Sequence, residues 1–172
     1  ETVPIEAAMI AENRAPGLLR SFAAERWPFV PKQVWVQARE EAHDSIRPVK
    51  LQICGSDMDP HCIDLCKKHA KKAGVMVDWA VRPVEELVDA RTGGVIVCNP
   101  PYGERLMDKR DAERLYRRMR ERFDLLDGWS INIISGFREF ERSYGRTADK
   151  RRKLSNGGMQ CCLYQYFRGG QR

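Results

Sequence analysis

The sequence predicts an α/β domain built on a doubly wound, mostly parallel sheet with an antiparallel hairpin at one edge. Three observations carry that prediction. Helical and extended patterns alternate along most of the chain. The run Val95-Ile96-Val97-Cys98 is apolar without a break, the pattern of a strand buried on both faces of a parallel sheet. Near the C-terminus, two extended segments flank Ser155-Asn156-Gly157-Gly158, a strong turn signal. No linker and no internal repeat interrupts the pattern, so one domain over residues 1–172 is expected.

The elements follow in order. Residues 3–14 read as a helix with Pro4 in its first turn, stopped by Ala15-Pro16-Gly17. Residues 22–31, which hold Trp27 and Phe29, read as an aromatic-rich loop, and 32–46 as a helix closed by Arg47-Pro48. A short strand is expected over 50–54, left by Gly55-Ser56-Asp57, then a helix over 60–73 ended by Gly74. A strand over 75–81 and a short helix over 83–90 lead to the turn Thr92-Gly93-Gly94 and the apolar strand 95–98. A basic helix over about 110–126, a strand over 129–135, a helix over 137–144 and the hairpin 150–154 with 159–167 complete the chain.

With 172 residues, 42% of them apolar, the chain can bury a core. Thirty basic against 24 acidic residues leave a net charge of +6, a modest bias towards a polyanionic partner. No run approaches the roughly 18–20 apolar residues that span a bilayer, and no secretory signal is visible. The chain opens on Glu1 and is helical almost at once, so it is expected to begin partway through a larger domain. Six cysteines lie in apolar surroundings without a C-x-x-C pair. They read as buried reduced thiols of a cytoplasmic protein, with neither metal nor membrane expected.

The strongest chemical signal is Asn99-Pro100-Pro101-Tyr102, directly after a strand. The lone pair of an exocyclic amine on a nucleobase is delocalised into the ring, so the nitrogen is a poor nucleophile. A site helps by accepting hydrogen bonds from both N–H groups, which lets the nitrogen become more tetrahedral. The Asn99 side-chain oxygen and the Pro100 carbonyl suit that role, prolines stiffen the loop, and Tyr102 can stack on the base. A second signal is Asp57 at a strand end, placed to take ribose hydroxyls of a nucleotide-like cofactor. Asp59 is either a second cofactor ligand or the cap of the next helix. Glu85 can reach an adenine amino group or simply open a helix. Arg105 lies just past the Asn99 loop, and Lys150-Arg151-Arg152-Lys153 precedes the terminal turn; both are candidates for RNA phosphates. Arg114, Arg117, Arg118, Arg120 and Arg122 read instead as a solvated helix face with acidic neighbours. Trp27, Trp35, Trp79 and Trp129 read as packing residues.

The chain resembles the catalytic half of THUMP-containing RNA methyltransferases, also described as RNA methylases or N6-adenine-specific DNA methylases. Within that group it is most similar to the bacterial 23S rRNA guanine-N2 methyltransferases. The resemblance covers essentially the whole chain. It rests on Glu1 to Ala8, Ala15-Pro16-Gly17, Ser56-Asp57-Met58-Asp59-Pro60, Asn99 to Leu106, and Lys150 to Gly157. Asn-Pro-Pro-Tyr alone is common to many amino-methyltransferases; its extension through Gly103-Glu104-Arg105-Leu106 is far more specific. The resemblance implies a Rossmann-like class I methyltransferase fold that uses S-adenosylmethionine and acts in rRNA processing. It implies that Asp57 binds ribose, that Glu85 lies on the adenine side, and that Thr2 closes the cofactor's glycine-rich loop. That loop and the first strand of the family are absent from the chain, which implies a gap in the sheet. The expected reaction is methyl transfer to guanosine N2 in 23S rRNA. The alternatives are N6-adenine methylation of DNA or RNA, and a non-catalytic RNA-binding fragment.

Overall fold

A computed structural model of the chain describes residues 2–49, 51–89, 91–101, 108–156 and 159–167. The chain divides into two compact units, Glu1–Pro83 and Val84–Arg172.

The first unit contains helices α1 (Val3–Ala11), α2 (Lys32–Asp44) and α3 (Pro60–Ala73), with strands β1 (Cys54–Asp57) and β2 (Asp78–Val81) paired in parallel. Its core is small: Ile5, Ala8 and Met9 of α1 pack with Ala70 of α3 and with Val75. Asp59 caps α3 by accepting the His61 N–H at 2.8 Å, and Gly74 ends it in the left-handed conformation.

The second unit holds β3 (Gly94–Cys98), α4 (Lys109–Phe123), β4 (Trp129–Ser135), α5 (Phe140–Tyr144), β5 (Lys150–Asn156) and β6 (Met159–Tyr166). Its sheet runs in the order β3-β4-β6-β5, parallel between β3 and β4 and antiparallel elsewhere. One face carries an aromatic core. Phe140 meets Tyr116 at 4.9 Å, Tyr144 at 5.3 Å and Tyr164 at 4.5 Å between ring centroids. Burial pushes the phenols of Tyr144 and Tyr166 well above their ordinary range and that of Tyr164 to about 12.

The α/β class and the terminal hairpin follow expectation; several boundaries do not. The strands form two sheets, and the first strand lies at Cys54–Asp57 rather than 50–54. Glycine and aspartate are poor strand formers, but Gly55 pairs in register with Trp79. The indole lies over the glycine so closely that a Cβ there would stand 2.3 Å from the ring. Gly94 and Trp129 repeat the device between β3 and β4, with 2.6 Å to the ring. The helix expected over 83–90 is a 3-10 turn, Val84–Glu86, and that over 137–144 contracts to α5. Strand β3 is covered on one face among the described residues: Ile96 and Cys98 join the aromatic core while Val95 stays 65% exposed. Of the cysteines, Cys66 and Cys161 are buried, whereas Cys54, near the start of β1, is exposed. Trp27 is also exposed, unlike the other three tryptophans.

The glycine–tryptophan contacts set a test. Gly55→Ala should lower stability by about 1–3 kcal/mol in chemical denaturation, the range for overpacking. In a Trp79→Leu background the same change should cost much less, because the obstructing ring is gone.

Candidate functional site

The Asn99 loop leaves β3 at its carboxyl end, the end of parallel strands at which ligand crevices open. Pro100 is buried and Pro101 half-buried, while Asn99 is exposed. Among the described residues no hydrogen-bond partner holds the Asn99 amide, so both its oxygen and its NH2 group are available to a ligand.

What fixes the loop comes from elsewhere in the unit. Tyr116 of α4, fully buried, donates its hydroxyl proton to the Pro101 carbonyl at 3.1 Å. The same oxygen lies 3.4 Å from the hydroxyl of Ser135, the buried last residue of β4. A carbonyl only accepts, so the single Tyr116 proton points to Pro101 and Ser135 donates to Tyr116. The Ser135 oxygen in turn accepts the Phe137 N–H at 3.1 Å. The chain therefore has one direction, from Phe137 through Ser135 and Tyr116 to Pro101. Burial raises the Tyr116 pKa, the Ser135 hydrogen bond opposes this more weakly, and the phenol stays protonated as the donor the loop requires. Neither residue was singled out from the sequence. A tyrosine on the apolar face of a helix reads as core, and a serine at a strand end reads as a turn.

Asp57 and Asp59 do different work in the first unit. Asp57, half-buried at the end of β1, accepts the Asp59 N–H on Oδ1 at 2.9 Å. Its Oδ2 takes no hydrogen bond from the described residues. That open oxygen, held on a rigid strand end, fits a ribose hydroxyl. Asp59 spends Oδ1 on the His61 N–H, and its Oδ2 faces the Cys62 thiol at 3.6 Å, the capping arrangement. Thr2 is exposed and begins α1 without a side-chain cap bond, although its carbonyl accepts the Glu6 N–H at 2.9 Å.

Glu85 belongs to the second unit and is ion-paired with Arg118 at 3.5 Å. Other arginines of α4 are also engaged: Arg114 by Asp111, Arg120 by Asp124 and the Gly145 carbonyl, and Arg122 by the Leu87 carbonyl. Arg117 of the same helix is exposed and has no ion-pair partner among the described residues. Strand alternation splits the 150–153 cluster between the two faces of β5. Arg151 pairs with Glu141 of α5 at 2.6 Å, while Lys150 and Arg152 share the opposite face, exposed. Tyr102 and Arg105 lie outside the described residues. Among the described residues no group of acidic, histidine or cysteine side chains is arranged to hold a metal ion, and no helix is long and apolar enough to cross a membrane. Burial pushes the Cys98 thiol, just before the loop, up to about 12, which removes it as a nucleophile.

Parallel strands alternating with helices place the chain in the α/β class, and comparison with known proteins identifies it as a methyltransferase domain. The chain belongs to the family described as RMKL-like, methyltransferase domain, which matches residues 2–165 and so spans both units. It is 38% identical over 96% of its length to the Bacillus subtilis protein named "Putative RNA methyltransferase YpsC". It is 33% identical over 95% of its length to "Ribosomal RNA large subunit methyltransferase K/L" of Legionella pneumophila strain Corby. The chain spans 44% and 24% of those relatives, respectively. Among solved structures, "SMU.472, a putative methyltransferase complexed with SAH" superposes with a TM-score of 0.94 at 37% identity, over 99% of this chain and 46% of that one.

The hydroxyl chain sets a test within this site. Tyr116→Phe keeps the buried ring but leaves the Pro101 carbonyl without its donor. It should lower stability by about 1–3 kcal/mol and lower the NMR order parameter of the Asn99 backbone N–H. An unchanged order parameter would show that the bond does not restrain the loop.

Proposed function

We propose that this chain is the catalytic part of an S-adenosylmethionine-dependent RNA methyltransferase that modifies the exocyclic N2 amine of a guanosine in 23S rRNA. The observation that carries the reading is the Asn99 loop: an asparagine amide with no partner among the described residues, at the carboxyl end of a parallel strand, on a proline backbone fastened to a buried hydroxyl chain. Family membership and the printed names of the relatives support RNA as the substrate class; the choice of guanosine N2 rests on the resemblance.

In this reading Asp57 holds the cofactor's ribose through its open oxygen, with Thr2 beside the cofactor and Glu85 on its adenine side. Asp59 keeps α3, and hence Asp57, in place. When bound, the cofactor supplies an electrophilic methyl group on a sulfonium sulfur. Asn99 Oδ1 and the Pro100 carbonyl accept the two amine protons, which localises the nitrogen lone pair and turns it out of the base plane. Pro101 cannot swing away, because Tyr116 holds its carbonyl. Tyr102 stacks on the target base. Once its new bond to carbon is made, the amine nitrogen carries the positive charge and releases a proton to solvent, so no strong general base is required. Positioning of donor and amine in line contributes most of the rate. Arg105, Lys150, Arg151, Arg152 and Lys153 are assigned to RNA phosphates, with Lys150 and Arg152 the better placed of the strand residues.

The test is transfer of labelled methyl to unmodified 23S rRNA, by this chain and by a version extended at its N-terminus with the family's glycine-rich loop. Asn99→Ala should cut turnover by about 100-fold or more, the scale of losing one preorganised hydrogen-bonding group, with cofactor affinity little changed. Asp57→Ala should do the reverse and act mainly on cofactor affinity. Near-normal turnover by Asn99→Ala would remove the loop from the chemistry. Absence of transfer to rRNA by either wild-type version would overturn the reading.

A further inference from the structure

The loop between α1 and α2 is built to display two aromatic rings. Arg39 of α2 organises it by donating to the carbonyls of Leu18 at 2.8 Å and Arg20 at 2.7 Å and by pairing with Glu25 at 2.5 Å. Glu25 also accepts the Phe22 N–H, at 2.8 Å. The Phe22 ring stacks on Trp35 at 5.9 Å and presses on Gly17, where a Cβ would stand 2.1 Å from the ring. A turn closed by the Val30 N–H to the Trp27 carbonyl then presents Trp27 and Phe29. Pro28 and Pro31 fix φ on either side of Phe29. Trp27 is 52% exposed and Phe29 75%, with ring centroids 5.4 Å apart.

Charge says what such a surface receives. Arg26 and Lys32 flank the rings, both exposed and both without an ion-pair partner among the described residues. The nearby carboxylate, Glu25, is consumed by Arg39. Exposed π faces between uncompensated cations suit a polyanion with unstacked bases, not a neutral apolar partner.

Contacts at the helix ends place the turn at the far end of α2. The Arg47 N–H bonds the Glu12 carbonyl at 2.8 Å, and the Asn13 amide bonds the Ser45 carbonyl at 3.0 Å. The Arg14 guanidinium and Leu19 sit against Gly74. The C-terminal ends of α1, α2 and α3 are thus tied together. Their N-terminal ends all lead away from that tie, over about 20 Å in the case of α2. Those ends carry Thr2, the aromatic turn and Asp57–Asp59, so the rings lie away from the tie, as the proposed cofactor acid does.

We propose that Trp27 and Phe29 form a stacking shelf for unpaired nucleotides of the RNA substrate, with Arg26 and Lys32 on the adjoining phosphates. This rests on the reading of the chain as RNA-directed. It adds a second contact, outside the target-base loop, that selects single-stranded over duplex RNA, since only unpaired bases offer their faces.

The experiment is fluorescence-anisotropy titration of this chain with a short labelled single-stranded RNA and with a duplex of equal length. Trp27→Ala and Phe29→Ala should each weaken single-strand binding by about tenfold and leave duplex binding unchanged. Trp27→Phe should restore most of the loss. Arg26→Gln with Lys32→Gln should flatten the slope of log affinity against log salt by about 1.4, the share of two phosphates on a single strand. Phe29 packs little, so its variant keeps the wild-type circular dichroism and melting curve. Wild-type affinity in both alanine variants would overturn the shelf alone. Failure of the wild-type chain to bind either RNA would overturn the shelf and the RNA reading together. A self-associated wild-type chain that Trp27→Ala returns to monomer, with RNA affinity unchanged, would show the rings to be a protein contact and overturn the shelf.

Discussion

A single buried proton constrains the candidate site. The Tyr116 hydroxyl has one to give, and the Pro101 carbonyl can only receive it. That fixes the sense of the chain back through Ser135 to the Phe137 N–H, and it joins α4, the end of β4 and the Asn99 loop as one hydrogen-bonded unit. The aromatic core serves the same end. Phe137 and Phe140 pack against the Tyr116 ring, and the desolvation they help to cause keeps the phenol protonated. In the proposed reaction such an arrangement would help a loop that holds an amine in line with a methyl donor, because its backbone carbonyls would not have to reorganise.

The candidate site was suggested where short-range chemistry dictates residue type. Asn99 to Tyr102 stands out because prolines after an asparagine at a strand end make little sense as ordinary packing. Asp57 stands out because a carboxylate leaving a strand has few structural reasons to be there. Of the dual reading of Asp59, the structure shows the cap, with both oxygens turned to the start of α3. What stayed hidden depends on contacts distant in sequence. Propensity places the first strand at 50–54 because Cys54-Gly55-Ser56-Asp57 is a poor strand former; a tryptophan two dozen residues on makes the glycine an asset. The 3-10 turn at Val84–Glu86 replaces a helix whose acidic residues signalled an N-terminus that the chain does not extend.

Charge was the least transparent property. A net +6 suggests an anionic partner, but the arginine-rich helix α4 spends much of its charge on Glu85, Asp111, Asp124 and backbone carbonyls. Among the described residues, exposed cations with no ion-pair partner include Arg26 and Lys32 beside the exposed rings, Lys150 and Arg152 on one face of β5, and Arg110 and Arg117 of α4 itself. Asking which cations lack a partner points to surfaces that a nucleic acid can use.

The account rests on the Asn99 loop presenting a guanosine amine in RNA. Nucleoside mass spectrometry of unmodified 23S rRNA after incubation with the active form tests that most directly. The account predicts N2-methylguanosine and no other new nucleoside; N6-methyladenosine, or methylation at a ring nitrogen, would contradict it.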